Sequence, residues 1–261
     1  MSNLALAVRD SSTMLRRNLL HARRYPSLTL NLLLTPVMLL LLFVYVFGDA
    51  LSAGIGGGDR SDYIAYIVPG LLLMTIGSTT IGTAVSVSND MTEGIIARFR
   101  TMAIHRGSVL VGHVIGSVVQ SIMSVVLVGA VGVAIGFRSA DATALEWLAA
   151  FGLLVLFTLA LTWIAVGMGL VSPNAEAASN NALPLIFLPL ISSAFVPVDS
   201  MPGWFQPIAE YQPFTPAIET LRGLLLGTEI GHNGWLALVW SVALTALGYF
   251  WATAKFNNDP K

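Results

Sequence analysis

NDMTEGIIARFRTMAIHRG, residues 89–107, is a compact charged stretch set between two long apolar runs. Placed on a helix, Ile95, Ile96, Phe99, Met102 and Ala103 fall on one arc, and Glu93, Arg98, Arg100 and Thr101 take the rest. That pattern describes a short helix with one face against something apolar and the other free. Arg98, Arg100 and Arg106 place the stretch on the cytoplasmic side by the positive-inside rule. A cytoplasmic helix braced between two membrane helices is well placed to receive force from a soluble partner.

Working outward, the rest of the chain reads as membrane. Of its 261 residues, 55% are hydrophobic and 10% charged, whereas a soluble domain carries about 25% charged residues. Apolar runs of about 20 residues recur, long enough to cross a bilayer. The composition therefore predicts an all-α polytopic membrane protein with one helical membrane domain over residues 27–261. Cysteine is absent, which excludes disulfides and Cys-ligated metals.

Six transmembrane helices are predicted, near Leu28 to Phe47, Tyr63 to Val87, Ser108 to Ile135, Leu145 to Val171, Ala182 to Val196 and Trp235 to Ala254. Ahead of them, residues 1–26 interleave Arg9, Arg16, Arg17, Arg23 and Arg24 with leucines, the pattern of an amphipathic helix lying on the cytoplasmic membrane surface. The run from Leu28 to Phe47 outlasts the roughly 7–15-residue core of a signal peptide and no A-x-A site follows, so a first span is expected. Six crossings from a cytoplasmic N-terminus put the C-terminus inside as well. The basic residues agree: five in the N-terminal segment, three in residues 89–107, and Lys255 and Lys261 in the tail put ten of thirteen inside. Arg60, Arg138 and Arg222 are left outside.

Inside the third span, Gly112 with Gly116 and Gly132 with Gly136 each form a G-x-x-x-G, which lets helix backbones approach closely, within the bundle or against a second copy. His113 and Gln120 lie in the same span. Polar side chains at that depth face protein, either in interhelical hydrogen bonds or against substrate.

Span five is the anomalous one. Pro184 and Pro189 interrupt about 15 apolar residues, roughly 23 Å as a helix against a hydrocarbon core of ~30 Å. The continuation VPVDSMPGWFQPIAEYQPFTPAIETLRGLLLG, residues 196–227, is too apolar for a loop standing in water. Two short helices are predicted there. One runs from Pro202 to Glu210, with Trp204, Phe205 and Ile208 on one face; the other opens at Thr215-Pro216, with Thr215 as N-cap and Gly227 as the stop. Glu219 and Arg222, three apart, could pair. Residues 197–233 read either as a re-entrant helical hairpin dipping into the outer leaflet or as two helices lying on the external surface.

Several chemistries are excluded. A phosphate-binding loop needs Gly-Lys-Ser/Thr, yet the only lysines are Lys255 and Lys261, neither after glycine. No G-x-S-x-G elbow and no H-E-x-x-H cluster is present. A proton-coupled carrier carries acidic residues inside its spans, and here every Asp and Glu except Glu176 is expected in a loop. The chain reads as a transport machine without its own energy source.

Two stretches resemble the permease subunits of type-2 ABC exporters, in particular the daunorubicin-resistance group of bacterial drug and polyketide exporters. One is NDMTEGIIARFRTMAIHRGSVLVGHVIG, residues 89–116, similar to the family's acidic-Gly-Arg loop, although Ala103 stands where such loops often carry proline. The other is the segment before the last span, with Phe195-Val196-Pro197, Met201-Pro202-Gly203-Trp204, Pro213 and Ala217 to Gly227 in matching order. The resemblance covers essentially the whole chain. It implies an N-terminal interfacial helix, a coupling helix in residues 89–107, a re-entrant external gate in 197–233, a dimer of permeases, homomeric or related heteromeric, and two separately encoded ABC ATPase subunits.

The expected function is thus the permease subunit of an ATP-driven exporter of hydrophobic or amphipathic compounds, in the bacterial plasma (inner) membrane with both termini cytoplasmic. No cofactor is expected on this chain; ATP and Mg would sit on the partner ATPase. Asp90, Glu93, Arg98, Phe99, Arg100, Met102, His105 and Arg106 would meet that partner, fixing its register by charge complementarity. Phe187, Phe195, Trp204 and Phe205, with Glu219 and Arg222 at the gate, would line the substrate path. Two rival readings are an ATP-independent carrier or channel and a membrane immunity or scaffold protein that sequesters a toxic compound.

Overall fold

A computed structural model describes residues 26–48, 60–92, 106–139 and 142–258. Residues 1–25 of the interfacial helix predicted over 1–26, and the stretch 93–105, which holds most of the predicted coupling helix, lie outside the described residues. Among those residues the secondary structure is helical throughout. In chain order it comprises α1 Pro26–Tyr45, α2 Arg60–Thr92, α3 Arg106–Ile135, α4 Ala144–Val171, α5 Ala175–Ala182, α6 Pro184–Leu190, a 3-10 turn Val198–Ser200, α7 Gln206–Tyr211, α8 Phe214–Leu226 and α9 Asn233–Asn258.

Four of these, α2, α3 from Leu110, α4 and α9, run 33, 26, 28 and 26 residues and are long and apolar enough to cross a bilayer. The chain is a multi-pass membrane protein. α1 adds a further helix of 20 residues. The interruption expected in the fifth span is present: α5 and α6 meet at Leu183, α6 ends at Leu190, and the chain then turns through residues 191–195. Pro184 and Pro189 each lack the N–H that a continuous helix needs, which explains the break and the early stop.

α2 is the axis of the bundle, touched by α1, α3, α4, α5, α6 and α8. Every residue from Ile67 to Gly77 is buried, so α2 shows no apolar stripe; a helix surrounded on all sides is apolar all round. Several of its threonine hydroxyls are satisfied within the helix, as where Thr75 donates to the Leu71 carbonyl at 2.7 Å and Thr80 to that of Gly77 at 2.7 Å. α4 begins in a capping box: the Thr143 N–H donates to Glu146 Oε2 at 2.6 Å and the Glu146 N–H donates back to Thr143 Oγ1 at 3.3 Å. By contrast α3 and α9 turn large apolar side chains outward, Met123 and Val126 on one and Val242 and Phe250 on the other, as lipid-facing helices do.

Candidate functional site

The site is organised by the hairpin of α7 and α8. α8 starts deep: the Phe214 ring meets that of Phe157, midway along α4, edge-on at 5.0 Å. It ends at the rim, where the Leu225 carbonyl accepts from Ser139 at 2.5 Å, just past the end of α3. Gly227, at φ +70°, stops it in the left-handed conformation that glycine adopts without a Cβ penalty. Ten of its 13 residues are buried. α7 is open by contrast, with Ala209 its only buried residue.

Thr215 is not the N-cap. The helix begins one residue earlier, and the Thr215 hydroxyl is turned inward, donating to the Ala209 carbonyl at 2.5 Å and accepting from the Ser193 N–H at 3.3 Å and from Gln212 Nε2 at 3.2 Å. That junction ties α7, α8 and the 191–195 turn together. Its neighbour α7 is shorter than predicted, six residues, with Pro202 to Phe205 forming a turn ahead of it.

Arg222 is the hub above this junction, and it is 7% exposed. Its Nη2 donates to the Tyr66 carbonyl at 3.1 Å and to the Ser193 carbonyl at 3.0 Å, its Nη1 meets Glu219 Oε1 at 2.5 Å, and its guanidinium lies 3.8 Å from the centre of the Tyr66 ring. Tyr66 completes the ring by donating its hydroxyl to the same Ser193 carbonyl at 2.9 Å. A desolvated guanidinium needs this many acceptors, and the planar fork lets one side chain reach three at once. The consequence is mechanical: one residue fastens α8 to α2 and to the turn after α6. Beside the hub opens a cleft of about 390 Å³ whose lining includes Tyr66, Asp199, Glu210, Glu219, Arg222 and His232.

The aromatic residues expected along a substrate path are dispersed. Phe187 is 56% and Trp204 76% exposed, while Phe205 is half-buried with its ring 5.3 Å from that of Trp204. Phe195 lies in the core, its ring 4.4 Å from that of Phe43 on α1. Close approach of the backbone puts it there. A Cβ on Gly70 of α2 would lie 2.7 Å from the Ala194 Cα, and one on Gly77 would collide with the Leu185 carbonyl. The two glycines, seven residues apart on one face, form the groove that receives α6 and its turn.

At the opposite end of α2, Asp90 sits inside the helix instead of in a loop, 8% exposed, and its Oδ2 lies 2.9 Å from Nε2 of His113 on α3, itself 4% exposed. It does not face outward toward a partner. Glu93, Arg98, Phe99, Arg100, Met102 and His105 are outside the described residues, and Arg106 is the first residue of α3. Gln120 is half-buried in α3, and one residue on Ser121 shares a 2.7 Å hydrogen bond with Thr79 of α2. Gly112 and Gly116 are buried. A Cβ on Gly132 would touch Val68 at 3.3 Å, and Gly136, at φ +121°, ends α3.

Sequence reasoning missed Tyr66, Ser193 and the inward role of Thr215. Hydroxyls stranded in apolar segments are the signal that could have flagged them. The two carbonyls that hold Arg222 carry no residue-type signature at all.

A family model described as ABC-2 type transporter matches residues 10–226. The daunorubicin resistance ABC transporter permease protein DrrB1 of Streptomyces coeruleorubidus is 29% identical over 247 residues, 93% of this chain and 84% of that protein. The "Probable doxorubicin resistance ABC transporter permease protein DrrC" of Mycobacterium tuberculosis is 24% identical over 183 residues, 68% of this chain and 64% of that protein. Nodulation protein J of Rhizobium meliloti is 26% identical over 213 residues, 74% of each. With the matched region running through α1 to the last residue of α8, the chain belongs to the ABC-2 type transporter family.

Proposed function

We propose that the chain is the membrane-spanning permease subunit of an ATP-driven exporter, moving hydrophobic or amphipathic compounds of the drug or polyketide kind out of the cytoplasm or inner leaflet. The observation that carries this reading is α8, the second arm of the α7–α8 hairpin, which is packed between α2, α4 and α9 with its start at mid-α4 and its far half locked by Arg222. A plug of that shape, in an ABC-2 family chain, is a re-entrant external gate. Two relatives named for daunorubicin and doxorubicin resistance support the substrate class.

The remaining parts follow from that reading. Two copies of a separate ABC ATPase hold ATP and Mg, because this chain carries no Gly-Lys-Ser/Thr loop. Two permease chains dimerise in the bacterial plasma membrane, six spans each, with α5 and α6 together serving as the fifth. Residues 1–26 lie on the cytoplasmic surface and both termini are inside. Residues 89–107 take the push of the closing ATPases and rock the bundle from inward-open to outward-open. Phe187, Trp204 and Phe205 flank the path at the seam, backed by Phe195.

Expressing the tagged chain with its neighbouring genes and purifying it in mild detergent tests the reading. A soluble ATPase recovered in equal stoichiometry, with vanadate-sensitive hydrolysis, is the expected result. A monodisperse chain that brings down no ATPase with any neighbour would overturn it and favour an ATP-independent carrier.

A further inference from the structure

The end of the bundle where α2 stops and α3 starts has its own apolar core, separate from the main one. It joins Val87 of α2, Leu110 and Val114 of α3, Trp163 and Leu170 of α4, and Phe256 of α9. Backbones touch there as well: a Cβ on Gly169 of α4 would lie 2.5 Å from the Ala84 carbonyl of α2. Trp163 of α4 meets Tyr249 of α9 edge-on at 5.0 Å. Four long helices are therefore knitted into one block at this end.

The buried Asp90–His113 pair lies in the same layer. Asp90 is two residues short of the end of α2, and His113 stands in the second turn of α3. The pair thus closes the chain segment of residues 91–112 at its base. A charge-assisted bond away from water is strong when made and expensive to leave half-made.

We infer that Asp90 and His113 are a positioning clamp for the segment between α2 and α3. The clamp ties both ends of that segment to the four-helix block, so that a push on residues 93–105 moves α2, α3, α4 and α9 together. Without it the thrust would splay the ends of α2 and α3 and be absorbed locally. Neither residue touches nucleotide or substrate; they act by holding the two helix ends in register. The inference rests on the coupling role proposed for residues 89–107.

The test uses the purified complex with its ATPase and exploits the absence of cysteine from the chain. A Gly203→Cys substitution on the exposed turn ahead of α7, where an added Cβ meets nothing within 4 Å, serves as a reporter, and its maleimide labelling rate is compared without nucleotide and after trapping with Mg-ATP and vanadate. The parent should change by about threefold or more. Asp90→Asn and His113→Gln should each bring that ratio close to one while still copurifying with the ATPase as monodisperse complexes. The reciprocal exchange Asp90→His/His113→Asp should recover at least half of the response, and the double variant Asp90→Asn/His113→Gln should be no worse than either single one. A purely packing role would give additive losses without recovery.

Singles that keep the full response, or additive losses with no recovery on exchange, overturn the clamp. If either single variant no longer assembles, the reciprocal exchange decides alone: recovery supports the clamp and failure overturns it. Arg98→Glu/Arg100→Glu separates the two readings. A full response there, alongside loss in the clamp variants, removes the coupling role of the arginines and leaves the clamp; a parent with no response removes both.

Discussion

Arg222 holds three acceptors from inside the bundle. Truncating it takes a donor from Glu219 and from the Tyr66 and Ser193 carbonyls, leaving the Ser193 carbonyl with the Tyr66 hydroxyl, and breaking a buried ion pair from one side costs about 3–5 kcal/mol. Arg222→Ala should therefore lower the thermal midpoint of the detergent-purified chain sharply. Glu219→Gln, at a side chain 30% exposed, should cost only about 1 kcal/mol, so the cation matters more than its carboxylate. Arg222→Lys should fall between, since an ammonium carries the charge but cannot fork across three acceptors. The Glu219–Arg222 spacing was visible in the sequence. The rest of the hub was not, because its acceptors are main-chain oxygens brought together from residues 66 and 193 by the fold.

At the scale of elements, the long spans were legible because a run of about 20 apolar residues has few alternatives in a bilayer. The interruption of the α5–α6 segment was legible in Pro184 and Pro189, but its seat was not, because that comes from fitting a groove formed by Gly70 and Gly77. Gly77→Ala tests that account: the added methyl meets the Leu185 carbonyl, and overpacking against main chain costs about 1–3 kcal/mol, read as lost thermal stability. The charged stretch of residues 89–107 has been proposed above as the coupling segment, a role that one double substitution separates from folding. Arg98→Glu/Arg100→Glu should abolish efflux while leaving expression, insertion and the midpoint of unfolding unchanged; efflux at the parental rate in that variant would remove the coupling role. Asp90 marks where pattern reading failed at this scale. It was assigned to a loop for its charge, whereas a partner on α3 lets it stay inside α2.

For the whole molecule, topology is the property that a few labels decide. With no native cysteine, His232→Cys should react with a membrane-impermeant thiol reagent in intact cells, and Lys255→Cys should react only after permeabilisation. The opposite pattern would invert the chain and move the α7–α8 hairpin to the cytoplasmic side. The glycine groove on α2 also has a consequence for biogenesis. Because α2 is made about a hundred residues before α5 and α6, a ribosome presents the receptor for this segment well ahead of its occupant. Interrupted by Pro184 and Pro189 and opening with Asn174, Asn180 and Asn181, the segment cannot rely on partitioning alone and is retained by what it docks against. Lesions at Gly70 or Gly77 should then surface during assembly, as chains left with a stray late segment and cleared by quality-control proteases, before any defect in pumping could be measured.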